Sequence, residues 1–178
     1  LEHAESYRSI LHEKFGDSPL YHILRLPNSR TGGDVRVVKS IERQFGKQWA
    51  YIKAYGADTC KDINVLLRVE PATPTIVFIK ETLRCSITLV KTFIGSVHER
   101  EPRSPLDSTI IQGLLGRLMG YNDNGFASCF THLESIERYL KLVNSDFTDR
   151  EVKWRSSTTS YIKGKCFSKG TYKSPSKK

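Results

Sequence analysis

Five consecutive residues, Thr75-Ile76-Val77-Phe78-Ile79, constrain this chain more than any others. The run shows no polar alternation, so both of its faces must be buried, and its length is that of a strand rather than a helix. A strand covered on both sides needs helices above and below its sheet. The flanking sequence supplies them. Residues 20–26 and 49–55 read as strands, 89–97 contains another, and 125–131 is a last one. Between them the apolar residues recur with helical period. Ile10, Leu11 and Phe15 mark a short helix over 3–15, and Val37, Val38, Ile41 and Phe45 mark one over 34–45 that Asp34 is placed to cap. Ile63, Leu66 and Leu67 mark a helix within 58–70, and Ile136, Tyr139, Leu140 and Val143 align on one over 132–143. Strands alternating with helices specify an α/β fold, a three-layer sandwich around a mostly parallel sheet.

The helix over residues 108–121 carries the most chemistry. Ile110, Ile111, Leu114, Leu115 and Leu118 form its apolar face, and Asp107 or Ser108 is its expected N-cap, with Pro105 just upstream. Gly113 and Gly116 lie inside it, where each glycine costs about 1 kcal/mol against alanine. Close approach of another backbone or of a phosphate is the usual reason to keep such a residue. Gln112, Gly116 and Arg117 fall on neighbouring faces of an unbroken helix.

This Gln112-x-x-x-Gly116-Arg117 pattern, on a helix after a strand and a Pro-containing loop, resembles the last motif of superfamily 2 helicases. Strand 76–79 leading into residues 80–89 (KETLRCSITL) is similar to that family's fifth motif. A first strand, a Ser/Arg-containing loop and a helix look like the opening of the family's C-terminal lobe. The resemblance covers roughly residues 20–143, and it implies a RecA-like lobe of the P-loop NTPase type that lacks its own P-loop. Two departures point to a divergent branch of the DEAD/DEAH-like group, of a phage or large-virus type. One extra residue separates Gln112 from Gly116, with Gly120-Tyr121 where a second arginine is usual. Ser86 and Thr88 also replace a usual Gly and Asp of the fifth motif.

The resemblance implies that ATP and Mg²⁺ are bound mainly by an N-terminal RecA-like lobe of the same polypeptide, absent from this chain. Arg117 would then be the arginine finger, because a planar guanidinium can neutralise charge on a transferring γ-phosphate. Gln112 would bond that phosphate or position the attacking water. Gly116, Arg117, Ser86 and Thr88 would meet the nucleotide, and Lys80, Arg84 and Arg30 would meet phosphates of DNA or RNA. Each residue also has a plainer reading: Arg117 as a salt bridge anchoring its helix, the others as solvated surface.

The rest of the sequence bounds these readings. At 178 residues the chain suffices for one domain but not for two RecA-like lobes, and its start without Met suggests a piece of something longer. No Gly-x-x-x-x-Gly-Lys-Ser/Thr and no Asp-Glu box occurs, so the isolated chain is expected to be inactive towards ATP. Cys60, Cys85, Cys129 and Cys166 form no Cys-x-x-Cys pair, which argues for reduced thiols, an intracellular setting and no zinc site. His98-Glu99 and His132 with Glu134 lack a third metal ligand. No apolar run approaches the roughly 20 residues that span a bilayer. After Glu151 there is no acid, and eight basic residues account for all but one of the nine net positive charges. Lys163 and Lys165 belong to this tail, whose lysines can neutralise phosphates while Tyr161, Phe167 and Tyr172 stack on bases. The division expected is a helix or linker over 1–19, the lobe over 20–150 and a basic, flexible tail over 151–178. The function expected is the C-terminal lobe of an ATP-dependent helicase or translocase. The alternative is a non-catalytic nucleic-acid-binding module that keeps the fold without ATP chemistry.

Overall fold

Strand β3 (Thr75–Ile79) is buried along its whole length, as its unbroken apolar run requires, and it pairs on either side with β1 (Tyr21–Arg25) and β2 (Ala50–Ala54). The computed structural model describes residues 2–27, 32–55, 62–80, 88–100, 105–119, 125–162 and 165–170. Adding β4 (Ile94–His98) and β5 (Ser128–Phe130) gives a five-stranded sheet of order β2-β3-β1-β4-β5 in which every pairing is parallel. The sheet and its flanking helices make the α/β three-layer sandwich that the sequence pattern specifies.

Alternate residues of the central strands feed two cores. Leu24, Ile76 and Phe78 pack beneath α1 (Glu2–Phe15) and α2 (Gly33–Phe45), against Tyr7, Leu11, Val38, Ile41 and Phe45. Ile23, Val77 and Ile79 point the other way, towards Ile63 and Leu67 of α3 (Ile63–Leu67) and towards Leu114. Helix α1 is thus part of the first core rather than a linker ahead of the lobe. Beneath it, Ser96 Oγ on β4 joins His22 Nδ1 at 2.9 Å and the Tyr7 hydroxyl at 3.3 Å, tying α1 to two strands.

Five expectations change. Gly32, not Asp34, occupies the N-cap of α2, in a left-handed conformation; the Asp34 carboxylate goes to Lys80 instead, 2.8 Å away. The helix expected over 108–121 is broken into α4 (Asp107–Ile110), a wide π-type turn at Ile111–Leu115 and a short α5 (Gly116–Leu118). Its N-cap is Leu106, because Asp107 is drawn into a buried network. Helix α6 (Leu133–Asn144) is capped by His132, whose ring accepts from the Ser135 N–H, but Leu140 and Val143 on its apolar face are exposed. The basic tail contains an antiparallel pair, β6 (Ser157–Ile162) with β7 (Lys165–Gly170), where a flexible extension was expected. Among the described residues no helix is long and apolar enough to cross a membrane.

The Asp107 network holds α4, α6 and the segment before β6 together. Its carboxylate is fully buried and accepts from Ser135 Oγ at 2.6 Å, from Arg138 Nε and Nη2 at 2.9 and 2.8 Å, and from the Arg155 N–H at 2.8 Å. Burial pushes this carboxyl's pKa up, but the donors from Arg138, Ser135 and Arg155 outweigh it and hold the group below the usual carboxylate range. One of the eight tail charges is therefore held against the body of the fold, since Arg155 also pairs with Glu134 at 3.2 Å.

Candidate functional site

The helix after β4 breaks at Gly113, whose φ of −71° and ψ of −141° are not helical. A break frees the amide of the next residue, and Leu114 N–H donates to Glu99 Oε2 at 3.1 Å. Glu99 follows directly on β4, is only 7% exposed, and takes the Arg100 N–H on its other oxygen at 3.1 Å. A Cβ on Gly113 would stand 2.6 Å from Glu99 Oε2, so only glycine leaves the carboxylate its place. Three residues on, a Cβ at Gly116 would stand 2.5 Å from the Ile111 carbonyl oxygen. The two glycines thus have separate reasons, a carboxylate for Gly113 and a backbone carbonyl for Gly116. At the far end Lys91, itself buried, donates from Nζ to the Leu118 carbonyl at 3.0 Å. A carboxylate at the amide end and an ammonium at the carbonyl end both complement the dipole of the short helical stretch between them.

That stretch carries Arg117, which is 8% exposed. Arg117 and Arg100 both lie near enough to Arg25, the last residue of β1, to act on its charge. Arg25 Nε stands 2.8 Å from Glu99 Oε1. Burial lowers the Arg25 pKa, Arg100 and Arg117 push the same way, and Glu99 opposes them. A guanidinium stays protonated through any physiological range. Three like charges, those of Arg25, Arg100 and Arg117, therefore lie near one another at the C-terminal edge of a parallel sheet, the edge at which open α/β folds place their ligands. Such a cluster offers bidentate donors to an anion. Burial first, and Glu99 second, also push the Cys129 thiol up to about 12, which disfavours its thiolate.

The other residues singled out from the sequence scatter. Gln112 is exposed while Arg117 is buried, and the kink at Gly113 lies between them, so the unbroken helix that was to put them on neighbouring faces is not present. Gly116 is exposed beside it. Thr88 is exposed, and its carbonyl is fixed by the Asn64 side-chain amide at 2.9 Å, whose oxygen also accepts from Val90 N–H at 2.8 Å. Lys80 is neutralised within the fold by Asp34. Arg30, Arg84, Ser86 and Lys163 lie outside the described residues, and Lys165 is described for its backbone alone, at the start of β7. Among the described residues no group of three or more His, Cys, Asp or Glu side chains can hold a metal. His98 packs its ring against Tyr7 and Phe130, with centroids 5.1 and 5.6 Å apart.

Sequence reasoning missed Glu99, Arg25 and Lys91. The usable signal for the first two was position, a charged residue closing each of two inner strands. For Lys91 the sequence holds no signal, since a lysine before a strand is ordinarily solvated.

No family model matches the chain, and no solved structure matches it significantly. It is similar to the uncharacterized protein L594 of Acanthamoeba polyphaga mimivirus, with 28% identity over 148 residues. The matched region makes up 80% of this chain and 36% of the mimivirus protein, so the chain spans little more than a third of that relative's length.

Proposed function

We propose that this chain is the C-terminal lobe of an ATP-dependent nucleic-acid helicase or translocase and that Arg117 is the residue it offers to the γ-phosphate. The observation that carries this reading is that Arg100 and Arg117 stand near Arg25, which pairs with Glu99 at the C-terminal edge of the sheet. Like charges held together at a sheet edge gain most when an anion arrives, and perturbed groups of this kind cluster at functional sites. The all-parallel sheet and the Gly116-Arg117 helix after β4 support the same assignment. The similarity to a region of a longer mimivirus protein is what a divergent viral branch of that helicase family leads one to expect. ATP and Mg²⁺ would be held mainly by another lobe. This chain's part is to neutralise charge on the phosphoryl group as it transfers, an interaction stronger in the transition state than in the ground state.

One observation favours the second reading, a nucleic-acid-binding module without ATP chemistry. Arg117 is buried and Gln112 is exposed, so the two do not present one surface to a nucleotide. ATP turnover separates the readings. The longer protein containing this chain should hydrolyse ATP and do so faster with single-stranded DNA or RNA, while the 178 residues alone should not. A longer protein without ATPase activity assigns the chain to the second reading.

A further inference from the structure

A cavity of about 620 Å³ opens between α1, α2 and the C-terminal ends of β1 and β4, on the face of the sheet opposite α3. Its inner wall is apolar, built from Tyr7, Leu24, Val37 and Ile41. Its rim is basic, and no acid lines it among the described residues. Three of the rim cations, Arg36, Lys39 and Arg43, succeed one another along α2 over about 10 Å of helix axis. The two acids of α2 that might balance them are engaged elsewhere. Asp34 pairs with Lys80 at 2.8 Å, and Glu42 pairs with Lys53 at 3.3 Å. All three cations are solvent-exposed. A row this long exceeds one phosphate group, and an apolar interior of this size suits an uncharged planar body rather than more anion.

We infer that the cavity binds single-stranded nucleic acid, taking one unstacked base into its apolar interior while Arg36, Lys39 and Arg43 hold the phosphates on either side. A duplex keeps its bases stacked and cannot enter. The inference rests on the nucleic-acid part of the function proposed above, and it adds a contact that the motif-bearing loops and the tail do not contain. Packing of a base against the apolar side chains of this wall is tolerant of base identity, because every base offers the same kind of flat face.

The test is binding of a fluorescent thymidine oligomer to the 178-residue chain, with an abasic oligomer of the same length beside it. Reversing the three charges (Arg36→Glu, Lys39→Glu, Arg43→Glu) should weaken binding at least tenfold at low salt. It should also flatten the log–log salt slope by about 2, since each lost phosphate contact removes about 0.7 for a single strand. Ser40→Trp fills the cavity without touching charge, and should weaken the thymidine oligomer while leaving both the salt slope and the abasic oligomer unchanged. The wild-type chain should bind the abasic oligomer about tenfold more weakly, within the range for loss of one base contact. These α2 residues are on the surface, and an unchanged Tm shows that the variants fold. Equal binding by the triple variant overturns the inference, as does equal binding of the two oligomers by the wild type. Displacement by thymidine monophosphate or hexaglutamate as effectively as by unlabelled oligomer also overturns it, in favour of a free-nucleotide or general polyanion site. This outcome is independent of the ATPase test: an active longer protein whose α2 variants bind unchanged loses only this inference, and an inactive one that binds through α2 loses only the other.

Discussion

Glu99 and Gly113 are spatial complements: the acid's Oε2 stands 2.6 Å from where a Cβ on Gly113 would be, and through that gap it accepts the Leu114 N–H. The carboxylate caps a helical stretch 15 residues away in sequence and carries Arg25 on its other oxygen. One side chain therefore sets both the start of the Arg117 stretch and the position of a second arginine.

Gly113→Ala should expose this dependence. The added methyl overpacks against the carboxylate, at a cost of about 1–3 kcal/mol, which for a chain of this size lowers Tm by about 2–4 °C per kcal/mol. In a Glu99→Ala background the methyl has room, so the same substitution should cost much less. Thermal melts of the four proteins of this double-mutant cycle check it. Equal costs in both backgrounds would show that Gly113 is kept for its backbone angles alone.

Asp107→Asn should destabilise by about 3 kcal/mol, because it leaves Arg138 facing a neutral group where a buried ion pair stood. The Asp107 carboxyl titrates below its ordinary 3.8 in the folded chain. Its contribution is therefore complete above that value and is lost as pH falls through the lowered one. Urea melts between pH 5 and the acid limit should show a steep acid limb in the wild type and a flatter one in the variant.

His22 acts in a higher window. Its ring is fully buried, and burial lowers its pKa from 6.5 to about 4. Between those values the unfolded chain binds a proton that the folded chain does not, so stability falls as pH drops from about 6.5 to about 4, by at most about 1.4 kcal/mol per unit. Above pH 7 the contribution is flat. His22→Asn, whose side-chain amide stands where Nδ1 does towards Ser96, should remove this limb from a plot of unfolding free energy against pH.

The sheet was legible because burial writes itself into composition. Thr75–Ile79 could not be anything but a doubly covered strand, and Val38, Ile41 and Phe45 could not face water together. The site was legible only in part. Arg117 announced itself by following a glycine on a helix after a strand, but its neighbours come from β1 and from the end of β4, and no local periodicity encodes that meeting. The same holds for Asp107. Local chemistry made it a helix cap, and a tertiary demand from Arg138 and Ser135 overrode the local preference. On α6 the helical period was right while its apolar face was left partly exposed, since period fixes which residues align but not what covers them. Nothing local marks the α2 cations, because the other wall of their cavity comes from α1, a separate stretch of the chain.

The most direct test of the account is ATP turnover by the longer protein carrying Arg117→Ala, measured beside its Tm. Arg117 stands among like charges, so its removal relieves Arg25 of one of them. The account predicts a Tm within a few degrees of wild type and turnover reduced at least a hundredfold, about 2.7 kcal/mol of lost transition-state stabilisation. Arg117→Lys should restore little, because an ammonium lacks the planar fork of donors. Turnover that stays at the wild-type rate, or that falls only in step with a lowered Tm, would contradict it.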